Sequence, residues 1–161
     1  DAHISGATSY RVPQTRQVLA DPQAIGEAWP AALERTIGPL TAADITVVMM
    51  HPVPRFAAWQ GRDCAGLRFV VNEASCGTTV LRAEALKRRE RALAIEQQAA
   101  AASGAFVVDP FDVVCPEAEC RAFDGGRWRW RDNMHLSVDG SMLLVPMMSE
   151  LTQLVGQDSS V

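Results

Sequence analysis

Two short apolar runs on either side of a long helical segment constrain the fold of this chain more than any other feature. Residues 45–50 form a continuous apolar, β-branched run, as expected for a strand covered on both faces of a parallel sheet. Residues 79–102 are rich in Ala, Arg and Glu, which predicts an amphipathic helix that Ser103-Gly104 ends. Residues 105–108 follow as a second buried strand. This order predicts a right-handed crossover between parallel strands, and therefore an α/β sheet with helices on both faces.

An earlier helix is predicted to begin at Pro22, because Asp21-Pro22 combines a capping side chain with a proline at the first helical position. The apolar residues that follow at helical spacing are Ile25, Trp29, Leu33 and Ile37. We expect Gly38-Pro39 to end this helix and Pro30 to break it.

Two further elements are predicted after the second strand. The turn Asp124-Gly125-Gly126 between residues 120–123 and 127–130 is typical of a β-hairpin. A final helix, which Pro146 bends or begins, is indicated by an apolar stripe made of Leu144, Met147, Met148, Leu151, Leu154 and Val155.

Length and composition fit one globular domain. The chain has 161 residues, of which 48% are hydrophobic and 21% are charged, enough to bury a core. We therefore predict a single domain over residues 1–155 and a disordered tail over residues 156–161. A formal net charge of -4 argues against nucleic acid as a partner. No apolar run approaches the roughly 20 residues that a membrane span requires.

The strongest chemical signal is an Asp-x-x-His pair, Asp132 and His135, between a basic, Trp-rich strand and a helix start. A carboxylate three residues before an imidazole in a tight turn can hold the ring by one nitrogen. The other nitrogen then faces outward as a general base, which is the orienting half of a Ser-His-Asp system. Both residues are candidate catalytic residues, although the same spacing also arises where the Asp only caps a turn.

The surrounding sequence resembles the closing segment of SGNH hydrolases. The motifs that carry the likeness are Asp109-Pro110, Cys115 to Cys120, Asp124-Gly125-Gly126 and the Asp-x-x-His-Leu-Ser of residues 132–137. It is most similar to the extracytoplasmic SGNH domain of membrane O-acyltransferases of the acyltransferase-3 family. The likeness extends back, more faintly, to residues 47–50.

This resemblance implies a three-layer α/β/α sandwich with a mostly parallel sheet. It also implies an O-acyltransferase or esterase that acts on O-acyl groups of cell-envelope glycans, with Asp132 orienting His135. The implied partners are an acyl donor, a glycan or other hydroxyl acceptor, and an upstream membrane acyltransferase domain of the same polypeptide. No metal and no organic cofactor are expected.

The nucleophile that the resemblance demands is not found in this sequence. The family places its Ser in a Gly-Asp-Ser motif after the first strand, and no Gly-Asp-Ser occurs here. The single Asp-Ser, Asp158-Ser159, lies in the predicted tail. We therefore expect the Ser to lie in a segment upstream of Asp1 and the 161-residue chain alone to be inactive.

Two other kinds of function remain open from the sequence. One is a non-catalytic glycan-binding or interaction domain descended from an SGNH hydrolase, in which Asp132 and His135 merely persist. The other is a Cys-His enzyme that uses one of the four cysteines. The second fails if all four cysteines form disulfides.

The cysteines indicate the compartment. Four cysteines allow three pairings, and the arrangement that closes two short local loops joins Cys64 to Cys76 and Cys115 to Cys120. Reduced buried cysteines and a zinc site are the alternatives, but no Cys-x-x-Cys occurs. Disulfides predict an extracytoplasmic location, periplasmic or at the cell surface. The resemblance further implies that the domain is tethered to a membrane domain.

Two further residues are candidates for a substrate groove. His51 follows the strand at residues 45–50, at the sheet edge where ligands bind in open α/β sheets. Trp130 lies two residues before Asp132, where an indole could stack on a sugar. The competing interpretations are a turn histidine that bonds a backbone carbonyl and a tryptophan that packs on the domain.

Overall fold

The computed structural model describes residues 10–12, 15–57, 59 and 77–158. The strands are β1 (Tyr10–Arg11), β2 (Val18–Leu19), β3 (Val48–Met50), β4 (Thr79–Leu81), β5 (Phe106–Val108), β6 (Glu119–Arg121), β7 (Phe123–Asp124) and β8 (Arg127–Trp128). The helices are α1 (Pro22–Thr41), α2 (Arg82–Ser103), α3 (Phe111–Val114), α4 (Val138–Met142) and α5 (Val145–Asp158). The described strands form four two-stranded sheets.

These elements belong to two compact units. The first unit contains Asp1–Pro52 and Lys87–Asp109, and the second contains Val53–Leu86 and Pro110–Val161. Among the described residues, no helix is long and apolar enough to cross a membrane.

The predicted strand–helix–strand order is present in the first unit. β3 and β5 pair in parallel, with Val48 opposite Phe106, and α2 lies between them in the sequence. The helix ends as predicted, because Gly104 has a φ of 70° and the Ala105 N–H donates to the Ala100 carbonyl at 3.0 Å.

The burial expected of these two strands was wrong. Phe106 is 53% exposed and Met50 is 48% exposed. In the described part of the chain, β3 and β5 pair only with each other, so no further strand extends their sheet. A mostly parallel sheet is therefore not formed by the described strands, of which only this pair is parallel.

Helix α1 runs through both prolines rather than breaking at Pro30 or ending at Gly38-Pro39. Its start is as predicted, since the Asp21 carboxylate accepts the Ala24 N–H at 2.9 Å. At its C-terminal end the Gly38 carbonyl accepts the Ala42 N–H at 2.9 Å and the Thr41 hydroxyl at 3.1 Å.

The second unit contains a hydrophobic core and the predicted hairpin. β4 pairs antiparallel with β6, and buried side chains of both strands join a core centred on Phe56, Phe111 and Trp130. β7 and β8 form a hairpin whose two loop residues, Gly125 and Gly126, have φ of 57° and 78°. Positive φ at both positions is the requirement of a type I′ turn, which glycine meets without a steric cost.

The C-terminal segment forms two helices where one was predicted. Ser137 caps the short α4, with its Oγ accepting the Gly140 N–H at 3.0 Å, and α5 then begins separately at Val145. α5 extends to Asp158, and so it includes part of the tail predicted over residues 156–161.

Candidate active site

The turn that carries Asp132 and His135 is fixed at both ends by backbone hydrogen bonds. Trp130 and Leu136 form a β-bridge on either side of it, and the Arg131 N–H donates to the His135 carbonyl at 2.9 Å. Inside the turn, the Asn133 carbonyl accepts the Phe56 N–H at 2.9 Å. These bonds hold the backbone that sets the directions of both side chains.

The contact predicted between the Asp and the His is present. The Nδ1 atom of His135 lies 2.9 Å from Oδ1 and 2.9 Å from Oδ2 of Asp132. Oδ1 also accepts the backbone N–H groups of Met134 and His135, each at 2.9 Å. The carboxylate thus caps its own turn and also contacts the ring.

These hydrogen bonds favour the ionised form of the carboxylate. Burial raises the pKa of Asp132, but the hydrogen bonds from the Met134 N–H, the His135 ring and the His135 N–H outweigh it and lower the pKa to about 2. Arg131 adds a cation, with its Nη2 atom 3.5 Å from Oδ2. Asp132 is therefore an anion at neutral pH, which favours the tautomer of the His135 ring that carries its proton on Nδ1.

The opposite side of the His135 ring is open. The side chain of His135 is 57% exposed, against 23% for Asp132. Nε2 makes no hydrogen bond to any residue that the structure describes. An oriented neutral imidazole with an exposed Nε2 can accept a proton from a hydroxyl group that reaches it.

Gly140 is a residue that the sequence analysis missed, although it supports this turn. A Cβ atom at this position would lie 1.9 Å from the carbonyl oxygen of Arg129. The absence of a side chain lets α4 approach the backbone of Arg129, just after β8, where the Ser137 N–H donates to that same carbonyl at 3.0 Å. A glycine inside a helical segment, just after Ser137 and Asp139, was the available signal.

The expectation that Trp130 lines a substrate groove was wrong. Trp130 is fully buried, and its Nε1 donates to the Pro54 carbonyl at 3.2 Å. Its ring meets the Phe56 ring edge-on, with the centroids 5.0 Å apart. The strand period places Trp130 inward, where a large ring gains more from burial than from exposure.

His51 does not line an open groove either, because it is only 3% exposed. Its Nδ1 atom lies 2.6 Å from Glu96 Oε2, and burial raises the pKa of that carboxyl. Its Nε2 atom is buried without a hydrogen-bond partner among the described residues. Glu96 was not predicted, because it lies 45 positions away in the sequence.

A second charged pair in the same unit was also missed. Arg89 is fully buried on α2 and forms an ion pair with Asp109, the residue after β5. Arg89 of this pair and Glu96 of the His51 pair lie on one stripe of α2, whose other members are Ala85, Ala92 and Ala99. Two charged residues on a stripe of alanines were the sequence signal for buried ionic partners.

One of the two predicted disulfides is present. Cys115 and Cys120 are joined, with an S–S distance of 2.03 Å, and both are 1% exposed. Cys64 and Cys76 lie outside the described residues. The Cys115–Cys120 bridge removes these two thiols as nucleophiles. Within the described ranges, no three His, Cys, Asp or Glu side chains are placed to hold a metal ion.

No serine of the described residues hydrogen-bonds to His135. Ser159, of the single Asp-Ser dipeptide, lies outside those residues.

The family comparison covers almost the whole chain. A family model described as "SGNH domain (fused to AT3 domains)" matches residues 2–150. No curated protein and no solved structure matches.

Proposed function

Because this chain belongs to the family of SGNH domains that are fused to AT3 domains, we propose that Asp132 and His135 perform acyl-ester chemistry in it. Membership in the family supports a hydrolase- or acyltransferase-like domain. The observation that carries the assignment of residues is the 2.9 Å contact of His135 Nδ1 with both oxygens of Asp132, beside a ring that is 57% exposed.

In the proposed mechanism Asp132 holds the Nδ1 proton, and Nε2 of His135 is the base. Nε2 takes the proton of a serine hydroxyl as the bond from Oγ to the acyl carbon forms. It returns that proton to the leaving oxygen as the ester C–O bond breaks. A sugar hydroxyl or water then attacks the acyl carbon and gives its proton to Nε2; the bond from the acyl carbon to Oγ breaks, Oγ takes that proton back, and the result is transfer or hydrolysis. The serine is proposed to come from an upstream segment of the same polypeptide.

We also propose the wider setting that the family and the chemistry favour. The parallel pair β3–β5, with α2 between its strands in the sequence, supports the α/β class of a single three-layer domain, although the other described strand pairs are antiparallel. An extracytoplasmic location is supported by the Cys115–Cys120 disulfide, because such bonds persist in oxidising compartments. We propose a membrane acyltransferase domain of the same polypeptide as a partner, because the family is fused to AT3 domains. We propose O-acyl groups of cell-envelope glycans as the substrate class.

The test is hydrolysis of a short aryl acetate by the full-length polypeptide. His135→Ala is expected to lower kcat/KM by about 10⁴-fold, as does removal of one member of a cooperating triad. Asp132→Asn is expected to cost a similar factor, because an amide favours the wrong tautomer of the ring. Asp139→Asn is the matched control, since Asp139 is 51% exposed and lies 3.8 Å from Arg127.

Equal activity in the His135→Ala variant and the unchanged polypeptide would refute the assignment. Absence of any esterase or transferase activity, with the fold intact, would favour the non-catalytic glycan-binding alternative.

A further inference from the structure

The turn at residues 131–135 is held to the rest of the second unit by few contacts. None of its side chains is buried, so the hydrophobic core does not hold them directly. The β-bridge between Trp130 and Leu136 fixes the two ends of the turn. Among the described residues, a single hydrogen bond joins the turn to a residue beyond this bridge, and in it the Phe56 N–H donates to the Asn133 carbonyl at 2.9 Å. The middle of the turn therefore depends on Phe56 for its position.

Phe56 belongs to a segment that is anchored independently of this bond. Its side chain is 1% exposed and lies in the core, where its ring meets the Trp130 ring edge-on. Two residues earlier, the Pro54 carbonyl accepts the Trp130 Nε1–H at 3.2 Å. Proline also locks the φ angle of residue 54 and restricts Val53 to extended backbone. The N–H of Phe56 thus projects toward the turn from a stiff and buried support.

The contacts that orient the imidazole are of a different kind, because all of them lie within the turn. Asp132 accepts hydrogen bonds from the Met134 N–H, the His135 N–H and the His135 ring. These three bonds move together with the turn. A shift of the whole turn would therefore keep the orientation of the ring against Asp132, but it would change where His135 Nε2 lies in the domain.

We propose that Phe56 is a positioning residue for the acyl-ester chemistry, because its N–H fixes the location of the turn and hence of His135 Nε2. The inference rests on the proposed function, in which Nε2 takes the proton of a serine hydroxyl. That transfer requires a distance of about 2.6–3.2 Å between the two heavy atoms. A misplacement of about 1 Å exceeds this range and lowers the rate by about 10²-fold. Phe56 acts here through Asn133 and not on the reacting atoms.

The experiment removes the N–H of Phe56 and leaves its ring in place. Phenyllactate, the α-hydroxy acid analogue of phenylalanine, is incorporated at position 56 of the full-length polypeptide by suppression of a stop codon. An ester oxygen then replaces the N–H, and hydrolysis of a short aryl acetate is measured as a function of pH. We expect kcat to fall by about 10²-fold and KM to stay within about twofold. The acid limb of the pH profile of kcat/KM should not move, because the contacts between Asp132 and His135 persist.

Two controls separate this hydrogen bond from the ester itself and from loss of stability. The α-hydroxy acid analogue of valine at Val53 introduces the same ester, but the Val53 N–H donates to none of the described residues. Phe111→Leu truncates another core phenylalanine, which is also 1% exposed. Both controls should keep kcat within about twofold of the unchanged polypeptide, although Phe111→Leu lowers the free energy of unfolding.

Three results would overturn the proposal. One is a kcat within about twofold of the unchanged polypeptide in a phenyllactate variant that is folded by near-UV circular dichroism. Another is an equal loss of kcat in the Val53 ester. The third is a displaced acid limb, which would mean that Phe56 acts on the Asp132–His135 pair and not on the location of the turn.

Hydrogen exchange of the unchanged 161-residue chain decides the matter if the phenyllactate variant does not fold. The Phe56 amide should exchange at least about 10²-fold more slowly than the Val53 amide, and equal exchange would overturn the proposal. Activity that persists in His135→Ala would refute the proposed function itself. A polypeptide that loses activity in His135→Ala but keeps it in the phenyllactate variant would refute only the role of Phe56.

Discussion

Replacement of Gly140 by alanine tests how the turn of Asp132 and His135 is supported. The new Cβ atom would lie 1.9 Å from the Arg129 carbonyl oxygen and 2.9 Å from its carbon. Both atoms belong to the backbone, so no flexible side chain can yield. The start of α4 and the backbone of Arg129 must separate by roughly 1.5 Å or more to reach ordinary van der Waals contact.

This separation lowers the free energy of unfolding, because it disturbs both the packing and a hydrogen bond at Arg129. Overpacking of a buried site costs about 1–3 kcal/mol. The shift also stretches the hydrogen bond from the Ser137 N–H to the Arg129 carbonyl, which is 3.0 Å long and contributes about 1 kcal/mol. We therefore expect Gly140→Ala to lower the free energy of unfolding by about 2–4 kcal/mol.

The measurement is urea unfolding of the chain, followed by tryptophan fluorescence. Gly38→Ala is the matched control, because a Cβ atom at this position of α1 meets nothing within 4 Å. Helix propensity predicts that this control is stabilised by about 0.5–1 kcal/mol. If the free energy of unfolding of Gly140→Ala lies within about 0.5 kcal/mol of that of the unchanged chain, the close approach of α4 to the Arg129 backbone does not stabilise the fold.

Three further predictions concern other charged and cross-linked residues. The pKa of Asp132 is about 2, below its ordinary value of 3.8, so the stability that the ionised carboxylate contributes is complete above pH 4 and is lost as the pH falls toward 2. Asp132→Asn should remove about 1–2 kcal/mol of this acid-dependent stability, measured by urea unfolding at pH 7 and near pH 2. Identical pH profiles of the variant and the unchanged chain would contradict this. Replacement of both Cys115 and Cys120 by alanine should lower the free energy of unfolding by about 2 kcal/mol, because the disulfide closes a short loop. Dithiothreitol should lower the stability of the unchanged chain through this bond, but it should have no such effect in the double variant. His51→Ala should cost about 3–5 kcal/mol, because it leaves the Glu96 carboxyl buried without its partner; Glu96→Gln, which keeps a hydrogen-bonding group at that position, should cost less in the same thermal or urea measurement.

The features that the sequence predicted correctly are those set by neighbouring residues. Gly125 and Gly126 specify their own turn, and Gly104 ends α2 through its own backbone angles. The contact between Asp132 and His135 depends on a turn of four residues, so its geometry follows from local rules.

The features that were not predicted depend on residues far apart in the sequence. Whether Trp130 faces a groove or a core is decided by Phe56 and Pro54, which lie more than seventy positions earlier. His51 finds Glu96 only because α2 places that carboxyl beside it. Strand periodicity assigns side chains to two faces but does not say which face is covered.

The hydrogen bonds that fix the turn of Asp132 and His135 also determine which of its positions are free to mutate. Asn133 contributes only its carbonyl, and Met134 only its N–H, to the bonds described for the turn. A library randomised at positions 133 and 134 should therefore return many functional side chains, whereas positions 132 and 140 should return almost only Asp and Gly. The same turn would then allow variation in what surrounds the imidazole while the orientation of the imidazole stays constant.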